Sequence, residues 1–290
     1  MTFDCCKFDA VLYADDAALI ITANSLKVLR KKLNTESHKF HIWLNVNKLT
    51  LNFKKTKFMI VTNRNYSPRA MKKFRLNIDK QNIKQVDEFK YLGVILDNKL
   101  TWRSHLDYLH TKLSQASGVI YKTRSYMPLN ASMLIYNSFI DSYLRYGTMS
   151  WGSAAAYLKD KLQSVQDRIV KTLLFPSSLD MPVNEQFQNL KILDIKKLIS
   201  FYTSKMIHSI KYKYNPSAFD GHIEFVNHFY KTRLQESTDF ALSKPRTELG
   251  KKSLAFFGVK CWTDIPQSIK EIKNTKLFSS ALKNHLLTTL

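Results

Sequence analysis

Residues 10–21 read AVLYADDAALII, and this stretch predicts a tight β-hairpin. Two short apolar runs, of the kind found in strands, meet at a polar pair that is typical of a turn. The carboxylates of Asp15 and Asp16 are therefore expected at the tip. Adjacent acidic side chains repel each other and are costly to desolvate, so a divalent cation would stabilise them, and hard oxygen ligands of this kind suit Mg²⁺. The alternative is an ordinary solvated turn, because turns favour Asp for reasons of their own.

The segment after the hairpin predicts a helix that packs beneath the sheet of the hairpin. Asn24 or Ser25 offers the N-cap. Apolar residues then recur at helical spacing, while most lysines and arginines fall outside the stripe. The stripe consists of Leu26, Leu29, Leu33, Phe40 and Leu44.

Short strands are predicted beyond this helix. Residues 49–53 alternate between apolar and polar side chains, and residues 58–61 follow a lysine cluster, which predicts two strand pieces that bend around the cluster. Residues 75–78 and 83–86 predict a second hairpin. Residues 89–96 predict one strand that leads into a turn.

From about Ser104 the apolar period changes from two residues to about 3.6 and stays there. Three apolar stripes predict three helices, with a break at Pro128 between the first and the second. A boundary is expected near residues 175–178, FPSS, and a further helix over residues 198–210. The stripes are Leu106, Leu109, Leu113, Ala116 and Ile120; Ala131, Leu134, Ile135, Phe139 and Leu144; and Leu158, Leu162, Val165, Ile169 and Leu173.

Charge indicates a polyanionic partner. The 290 residues contain 45 Lys and Arg against 23 Asp and Glu, a net charge of +22 that is spread through every segment. Such a field favours RNA or DNA, and solubility alone does not need so large an excess of one sign. Residues 63–73 predict a basic loop. Tyr212 and Tyr214 lie in a basic run that suits either base stacking or the face of an amphipathic helix.

Cysteine use and the lack of long apolar runs predict an intracellular protein that is not secreted. Cys5, Cys6 and Cys261 are an odd number with two adjacent members, so a reducing compartment is indicated and no disulfide framework is predicted. The histidines never fall into a Cys-spaced zinc pattern. No apolar run approaches the roughly 18 residues of a membrane span, and no signal peptide is found. We expect no membrane partner and a location in the nucleus or in a cytoplasmic ribonucleoprotein.

Two stretches downstream of Tyr13-Ala14-Asp15-Asp16 resemble reverse transcriptases of non-LTR retrotransposons, in the same order and spacing. Residues 43–59, WLNVNKLTLNFKKTKFM, resemble the segment after the catalytic hairpin of that family. Residues 91–97, YLGVILD, with residues 100–102, LTW, and His105, resemble the next block.

The end of the chain resembles the C-terminal region of jockey-like and related elements of the same family. The matching residues are 250–262, GKKSLAFFGVKCW, then Ile265 and Pro266, Phe278, and Leu282 with Lys283. The resemblance therefore covers almost the whole chain.

This resemblance implies an α+β fold in three parts. Residues 1–103 would form a partial reverse-transcriptase palm, an antiparallel sheet with a helix that contains the Tyr-Ala-Asp-Asp hairpin and a hairpin like the primer grip. Residues 104–175 would form a helical thumb, which in the family closes over the minor groove of the growing duplex. Residues 176–290 would form a mostly helical C-terminal region.

The resemblance also implies roles for individual residues near the hairpin. Asp15 would be the more direct metal ligand, Asp16 a supporting carboxylate, and Tyr13 a residue that packs against primer or template. Lys55 matches the family's lysine after the motif-D helix, where a cation could neutralise or protonate the triphosphate leaving group. A surface lysine in a run of basic residues is the alternative for Lys55.

Further residues are expected to contact nucleic acid. Leu92 and Gly93 match the primer-grip turn, where glycine lets backbone approach nucleic acid closely; the alternative is a glycine that relieves a bulge. Lys112, Lys122 and Arg124 belong to the phosphate-facing charge that a thumb needs, although each alone would suit a solvated surface. The other basic residues of this set are Arg145, Lys159, Lys161, Arg168 and Lys171.

The implied activity is that of an RNA-directed DNA polymerase. Two Mg²⁺ ions would align a primer 3′ hydroxyl with a dNTP, with RNA template and DNA primer as partners and no other small-molecule cofactor. In the family another metal-binding Asp and the fingers precede the hairpin, whereas 12 residues precede Tyr13 here and neither Asp4 nor Asp9 is placed to replace that Asp. We therefore expect an incomplete two-metal site in a truncated chain that is inactive alone. The alternative is a non-catalytic basic module that binds RNA or RNA/DNA duplex.

Overall fold

The hairpin predicted from residues 10–21 is present in the computed structural model. Strand β1, Asp9–Tyr13, pairs antiparallel with β2, Asp16–Ile20. Tyr13 is opposite Asp16, which leaves Ala14 and Asp15 as a two-residue turn. The two strands form a sheet of their own and are exposed along most of their length.

The structure describes residues 8–62, 64, 66–67, 74–216, 219, 221, 223, 225 and 240–289. The chain divides into two compact units, Met1–Thr101 and Trp102–Leu290. The described strands lie in the first unit and most of the helices in the second, so the fold is α+β, as predicted. The basic loop predicted at residues 63–73 lies mostly outside the described residues. The division into three parts stays a prediction.

Helix α1, Leu26–Val46, begins where the sequence predicts. Ser25 is the N-cap, and its hydroxyl accepts a hydrogen bond from the backbone N–H of Val28 at 3.4 Å. Phe40 and Leu44 are buried on the predicted stripe. The helix packs mainly against strand β4, described below, rather than beneath the hairpin, because β4 offers buried apolar side chains and the hairpin offers few.

A three-stranded sheet forms the core of the first unit. It contains β3, Lys57–Phe58; β4, Leu76–Ile78; and β5, Gln81–Gln85. The antiparallel pair β4–β5 is the second hairpin predicted from the sequence, and Asp79 and Lys80 in its turn both have positive φ. Strand β3 joins the other side of β5 in parallel.

The strand predicted over residues 49–53 does not form. Leu51 and Phe53 instead pack from a loop against a buried cluster of the sheet, and the intervening Asn52 is exposed. The alternation therefore identified which side chains are buried but not the backbone conformation. The cluster consists of Leu76, Ile78 and Ile83.

The single strand predicted over residues 89–96 is also wrong. Strand β6, Glu88–Tyr91, turns at Leu92 and Gly93 and pairs antiparallel with β7, Val94–Asp97. Both turn residues have positive φ, 43° and 82°, which matches the favoured geometry of a two-residue hairpin turn.

The second unit contains the remaining described helices. In chain order they are α2, Arg103–Thr123; α3, Leu129–Tyr136; α4, Ser142–Arg145; α5, Thr148–Trp151; α6, Ala156–Leu173; α7, Val183–Asn189; α8, Ile195–Lys211; α9, Glu248–Lys251; α10, Val259–Thr263; α11, Gln267–Lys270; and α12, Thr275–Thr288. Short 3₁₀ or π turns occur at Ser177–Leu179, Asn137–Asp141 and Leu254–Gly258.

Helices α2 and α6 pack side by side and run parallel. At their starts, Arg103 donates a hydrogen bond to the Tyr157 hydroxyl at 2.6 Å; just past their ends, the Arg124 guanidinium lies 4.6 Å from the centre of the Phe175 ring. Their predicted stripes are confirmed, because every member is buried: Leu106, Leu109, Leu113, Ala116 and Ile120 on α2, and Leu158, Leu162, Val165, Ile169 and Leu173 on α6.

The stripe predicted for the helix between them is wrong at Leu134 and Phe139, whereas its last member, Leu144, is completely buried. Ser132, Tyr136 and Ile140 are buried, whereas Leu134 and Phe139 are 68% and 58% exposed. A buried polar contact holds this orientation, since Gln166 of α6 donates to the Tyr136 hydroxyl at 3.0 Å and to the Leu193 carbonyl at 3.0 Å. The π turn at Asn137–Asp141 then shifts the phase of the helix, which a regular period of about 3.6 residues cannot anticipate.

A second core in this unit surrounds His208 of α8. The imidazole stacks on Phe278 of α12 with ring centres 4.0 Å apart, and its Nε2 donates a hydrogen bond to the Ile272 carbonyl at 2.8 Å. The adjoining apolar cluster consists of Ile207, Ile210, Ile223, Phe240, Val259, Trp262, Ile265, Phe278 and Leu282. Among the described helices, none is both long enough and apolar enough to cross a membrane.

The environment of His208 predicts a pH-dependent stability for the second unit. Burial lowers the pKa of His208 below its usual value, and the nearby lysines Lys211 and Lys205 lower it further against the raising effect of the Ile272 hydrogen bond. Within the described part of the chain, Nδ1 has no hydrogen-bond partner, so protonation would bury an unsatisfied N–H. The unfolded chain then binds more protons than the folded chain below about pH 6.5.

We therefore expect the free energy of unfolding to fall as the pH drops from about 6.5 towards the lowered pKa of His208, and to be insensitive to this residue above about pH 7.5. Urea unfolding at a series of pH values measures the effect. His208→Gln, which can still donate to the Ile272 carbonyl, should reduce the loss at acidic pH, and His38→Gln at an exposed position is the control. An identical pH profile for His208→Gln and the unsubstituted chain would contradict this assignment.

Candidate functional site

The tip of the β1–β2 hairpin carries the two carboxylates that the sequence predicts as metal ligands. Asp15 is the second turn residue and Asp16 is the first residue of β2, opposite Tyr13. All three side chains are exposed, Tyr13 by 64%. Ala14 has φ of 50°, a left-handed conformation that costs an L-residue roughly 1–2 kcal/mol. The turn therefore keeps this geometry although it lacks the glycine that would relieve it.

The donor groups at the tip of the hairpin suit part of a magnesium site. Mg²⁺ is commonly held by one or two carboxylates together with substrate phosphates and water, so the donor chemistry of Asp15 and Asp16 fits. Asp9 is paired with Ile20 at the opposite end of the hairpin and cannot join them. Over the ranges described, no group of three or more His, Cys, Asp or Glu side chains is placed to hold a metal ion. The pair would thus need phosphate oxygens, or a further ligand, to complete a site.

Lys55 lies in an exposed turn between α1 and β3. Its backbone N–H donates to the Asn52 side chain at 3.1 Å, and Thr56 donates through its hydroxyl to the Asn52 carbonyl at 2.8 Å. The turn fixes the backbone of Lys55 and leaves its side chain in solvent, where no described residue pairs with the ammonium. Such a cation is available to a phosphate, but its exposure equally fits a solvated lysine.

The turn at Leu92 and Gly93 and the loop after β7 form the next part of the candidate site. Gly93 is exposed with φ of 82°, so its backbone is accessible to a ligand. At the far end of β7, the buried carboxylate of Asp97 accepts hydrogen bonds from the N–H groups of Lys99 and Thr101, each at 3.0 Å, and from the Thr101 hydroxyl at 3.2 Å. A turn after residue 96 was predicted, but the role of the Asp97 carboxylate in closing it was not.

The three basic residues predicted on the thumb do not share one face of α2. Successive helical residues are about 100° apart, so Lys122 lies about 80° around the axis from Lys112, and Arg124 about 160° from Lys122. Lys112 lies over the ring of Tyr108 at 5.8 Å, Lys122 is exposed, and Arg124 lies over the rings of Tyr121 and Phe175. Neither ring was predicted as a partner of Arg124, although the Tyr-Lys-x-Arg spacing at 121–124 could have indicated Tyr121.

Tyr212 and Tyr214, the other aromatic candidates, have internal partners. The Tyr212 hydroxyl donates to the Lys270 carbonyl at 2.9 Å, and the Tyr214 hydroxyl to the Lys273 carbonyl at 3.5 Å. The two rings stack on each other with centres 6.0 Å apart. Of the two interpretations left open by the sequence, the structure favours packing at the end of α8.

Comparison with known proteins gives three similar relatives from Drosophila melanogaster. The probable RNA-directed DNA polymerase from transposon X-element is 27% identical over 99 residues, 33% of this chain and 11% of the relative. The RNA-directed DNA polymerase from mobile element jockey is 26% identical over 165 residues, 56% of this chain and 17% of the relative. The probable RNA-directed DNA polymerase from transposon BS is 26% identical over 165 residues, 56% of this chain and 18% of the relative.

This chain is a distant relative of RNA-directed DNA polymerases of mobile elements. The resemblance to non-LTR reverse transcriptases stated from the sequence is thereby confirmed. The chain spans less than a fifth of the length of these polymerases. No family model and no solved structure matches it.

The C-terminal residues that resemble those of jockey-like polymerases occupy core positions. Trp262, Phe278 and Leu282 are completely buried and belong to the cluster beside His208. Gly258 lies so close to Ile207 that a Cβ at this position would be 2.9 Å from the Ile207 side chain. This part of the resemblance to polymerases is therefore explained by packing and does not by itself identify a ligand site.

Removal of the Asp97 carboxylate should destabilise the loop that follows the β6–β7 hairpin. Asp97→Ala leaves two backbone N–H groups and a hydroxyl without their acceptor, and we expect a loss of about 1–3 kcal/mol in local opening free energy. Native-state hydrogen exchange of the β6–β7 amides measures this. Asp87→Ala is the matched control, because Asp87 is exposed and accepts one side-chain hydrogen bond from Asn98; it should cost no more than about 0.5 kcal/mol. Equal protection in the two variants would exclude this role for Asp97.

Proposed function

We propose that this chain supplies the metal-binding palm hairpin, the thumb and the C-terminal region of an RNA-directed DNA polymerase. The observation that carries the proposal is the pair Asp15 and Asp16 at the tip of a two-residue hairpin, in a chain that is a distant relative of such polymerases. Adjacent exposed carboxylates add nothing to the packing of the hairpin, whereas they suit the binding of a divalent cation with phosphates.

Each residue of the hairpin has a distinct part in this proposal. Asp15 is the more direct metal ligand, and Asp16, fixed in β2 opposite Tyr13, is the supporting carboxylate. Bound Mg²⁺ would supply activation of the primer hydroxyl and stabilisation of the pyrophosphate leaving group. The exposed ring of Tyr13 packs against primer or template next to the reacting ends. Lys55 supplies a cation for the triphosphate from the turn at residues 52–56.

The nucleic-acid partners in this proposal are an RNA template and a DNA primer. The net charge of +22 supports a polyanionic partner for the chain as a whole. The exposed Gly93 backbone and the basic residues of α2 are the proposed contacts outside the hairpin. Phosphate contacts of this kind position the nucleic acid without reading its sequence.

A second candidate function is a non-catalytic module that binds RNA or RNA/DNA duplex. The observation that favours it is the count of carboxylates, because the part of the chain that the structure describes brings two of them together at the hairpin and no third. A polymerase site with two metals needs further ligands. The module would keep the electrostatic attraction for nucleic acid and would not carry out synthesis.

Replacement of both hairpin carboxylates tests the metal site. Mn²⁺ suits carboxylate ligands as Mg²⁺ does, and its free ion is measured by electron paramagnetic resonance. With an RNA/DNA template–primer and a dNTP present, we expect Asp15→Asn with Asp16→Asn to bind less Mn²⁺ than the unsubstituted chain. The affinity for template–primer without divalent cations should stay equal or rise, because two negative charges are removed.

The matched control carries the same charge change at exposed positions of the same unit, Asp79→Asn with Asp87→Asn. It should bind Mn²⁺ like the unsubstituted chain, and equal Mn²⁺ loss in both double variants would defeat the metal assignment. Primer extension on the same substrate separates the two candidate functions. Extension that disappears with the Asp15 and Asp16 substitutions supports the polymerase, whereas salt-dependent binding without extension or Mn²⁺ uptake supports the module.

A further inference from the structure

The ends of the parallel helices α2 and α6 hold a stack of one arginine and two aromatic rings. The Arg124 guanidinium carbon lies 4.1 Å from the centre of the Tyr121 ring and 4.6 Å from the centre of the Phe175 ring. The guanidinium therefore lies over both rings. Tyr121 precedes Arg124 by one turn of α2, and Phe175 follows the last residue of α6 by two positions.

The donors of the Arg124 guanidinium are not used by the described part of the protein. Within the described ranges, no carboxylate pairs with Arg124 and no acceptor receives a hydrogen bond from its guanidinium. A guanidinium that lies over aromatic rings keeps its N–H donors in one plane, and this planar set of donors is the geometry that binds a phosphate. Tyr121 is 57% exposed and Phe175 is 50% exposed, so each ring has surface left for a further partner.

Helix-end electrostatics explain a positive charge here but not the aromatic rings. The carbonyl ends of α2 and α6 both favour cations, and Lys122 and Lys171 already lie in their last turns. Two large aromatic rings that stay half exposed beside the arginine are unfavourable in water, and they do not fill a core. Surfaces that interleave aromatic and basic side chains commonly bind single-stranded nucleic acid, because bases stack on the rings while cations bind the phosphate backbone.

We propose that Tyr121, Arg124 and Phe175 form a binding site for an unpaired nucleotide of single-stranded RNA or DNA. The free edge of the Arg124 guanidinium binds a phosphate of the strand, and the base stacks on the exposed surface of the Tyr121 or Phe175 ring. The site rests on the proposed function in that it takes nucleic acid as its partner, but it is separate from the hairpin carboxylates and from duplex binding.

Binding of the full chain to three fluorescein-labelled probes of equal length tests the site: an oligothymidylate, an abasic oligodeoxyribonucleotide and a duplex. We expect the chain to bind the oligothymidylate about tenfold more tightly than the abasic strand, since stacking on an aromatic ring contributes that order of affinity. Tyr121→Leu with Phe175→Leu should remove this preference and leave binding of the duplex within about twofold. Both positions are half exposed, and circular dichroism melting confirms that the variant folds.

Two single variants separate stacking from charge. Arg124→Lys keeps the charge but loses the planar fork, and we expect it to weaken oligothymidylate binding severalfold without a change in the salt slope. Lys171→Gln removes one charge from the end of α6 that is not part of the arginine–aromatic cluster. We expect it to reduce the salt slope by roughly 0.7 while the preference for oligothymidylate over the abasic strand persists.

Either of two results would overturn the inference alone: equal affinity of the unsubstituted chain for oligothymidylate and abasic strand, or full oligothymidylate affinity in the Tyr121 and Phe175 double variant. In both cases the chain still binds nucleic acid, and the proposed function stands. Failure of the unsubstituted chain to bind any of the three probes would instead overturn the proposed nucleic-acid partner, and the site with it.

Discussion

The register of β1 against β2 is the constraint on which any metal chemistry of this chain depends. Pairing of Tyr13 with Asp16 leaves a two-residue turn and brings two carboxylates to one tip. A slip of one residue would move every side chain of a strand to the other face and separate the acids from the turn. Because Ala14 adopts a left-handed conformation without a glycine, this register is kept at the cost of local strain.

The two units have different physical properties. The first presents exposed backbone at the two-residue turns of its hairpins, Ala14-Asp15 and Leu92-Gly93, each supported by its own two-stranded sheet. The second is built on long apolar stripes and presents cations at helix ends, as at Arg124. Loops and helix ends can carry function because the packing of the elements between them leaves these positions free. The core around His208 and Trp262 shows the opposite case, in which Trp262, one of the residues that carry the C-terminal resemblance, serves packing.

Local sequence patterns gave correct predictions where the apolar residues of a single helix recur at the regular helical period. The stripes of α2 and α6 and the N-cap at Ser25 follow directly from spacing and capping chemistry. The prediction was wrong for Leu134 and Phe139, because a π turn shifts the phase and Gln166 binds Tyr136 on the opposite side of the helix. It was also wrong for residues 49–53, where Leu51 and Phe53 reach the core from a loop without a strand partner.

The hairpin with its two acids and the net positive charge were predictable from the amino-acid sequence, because turn chemistry and composition act over short distances. The α+β class and the relationship to RNA-directed DNA polymerases followed from the resemblance of the quoted motifs. The three-dimensional structure was needed to show that Asp97 closes a turn, that Tyr212 is bound inward, and that Phe175 meets Arg124 across 51 positions of sequence. Such contacts depend on how helices lie against each other in space, and the period of one helix does not contain that information.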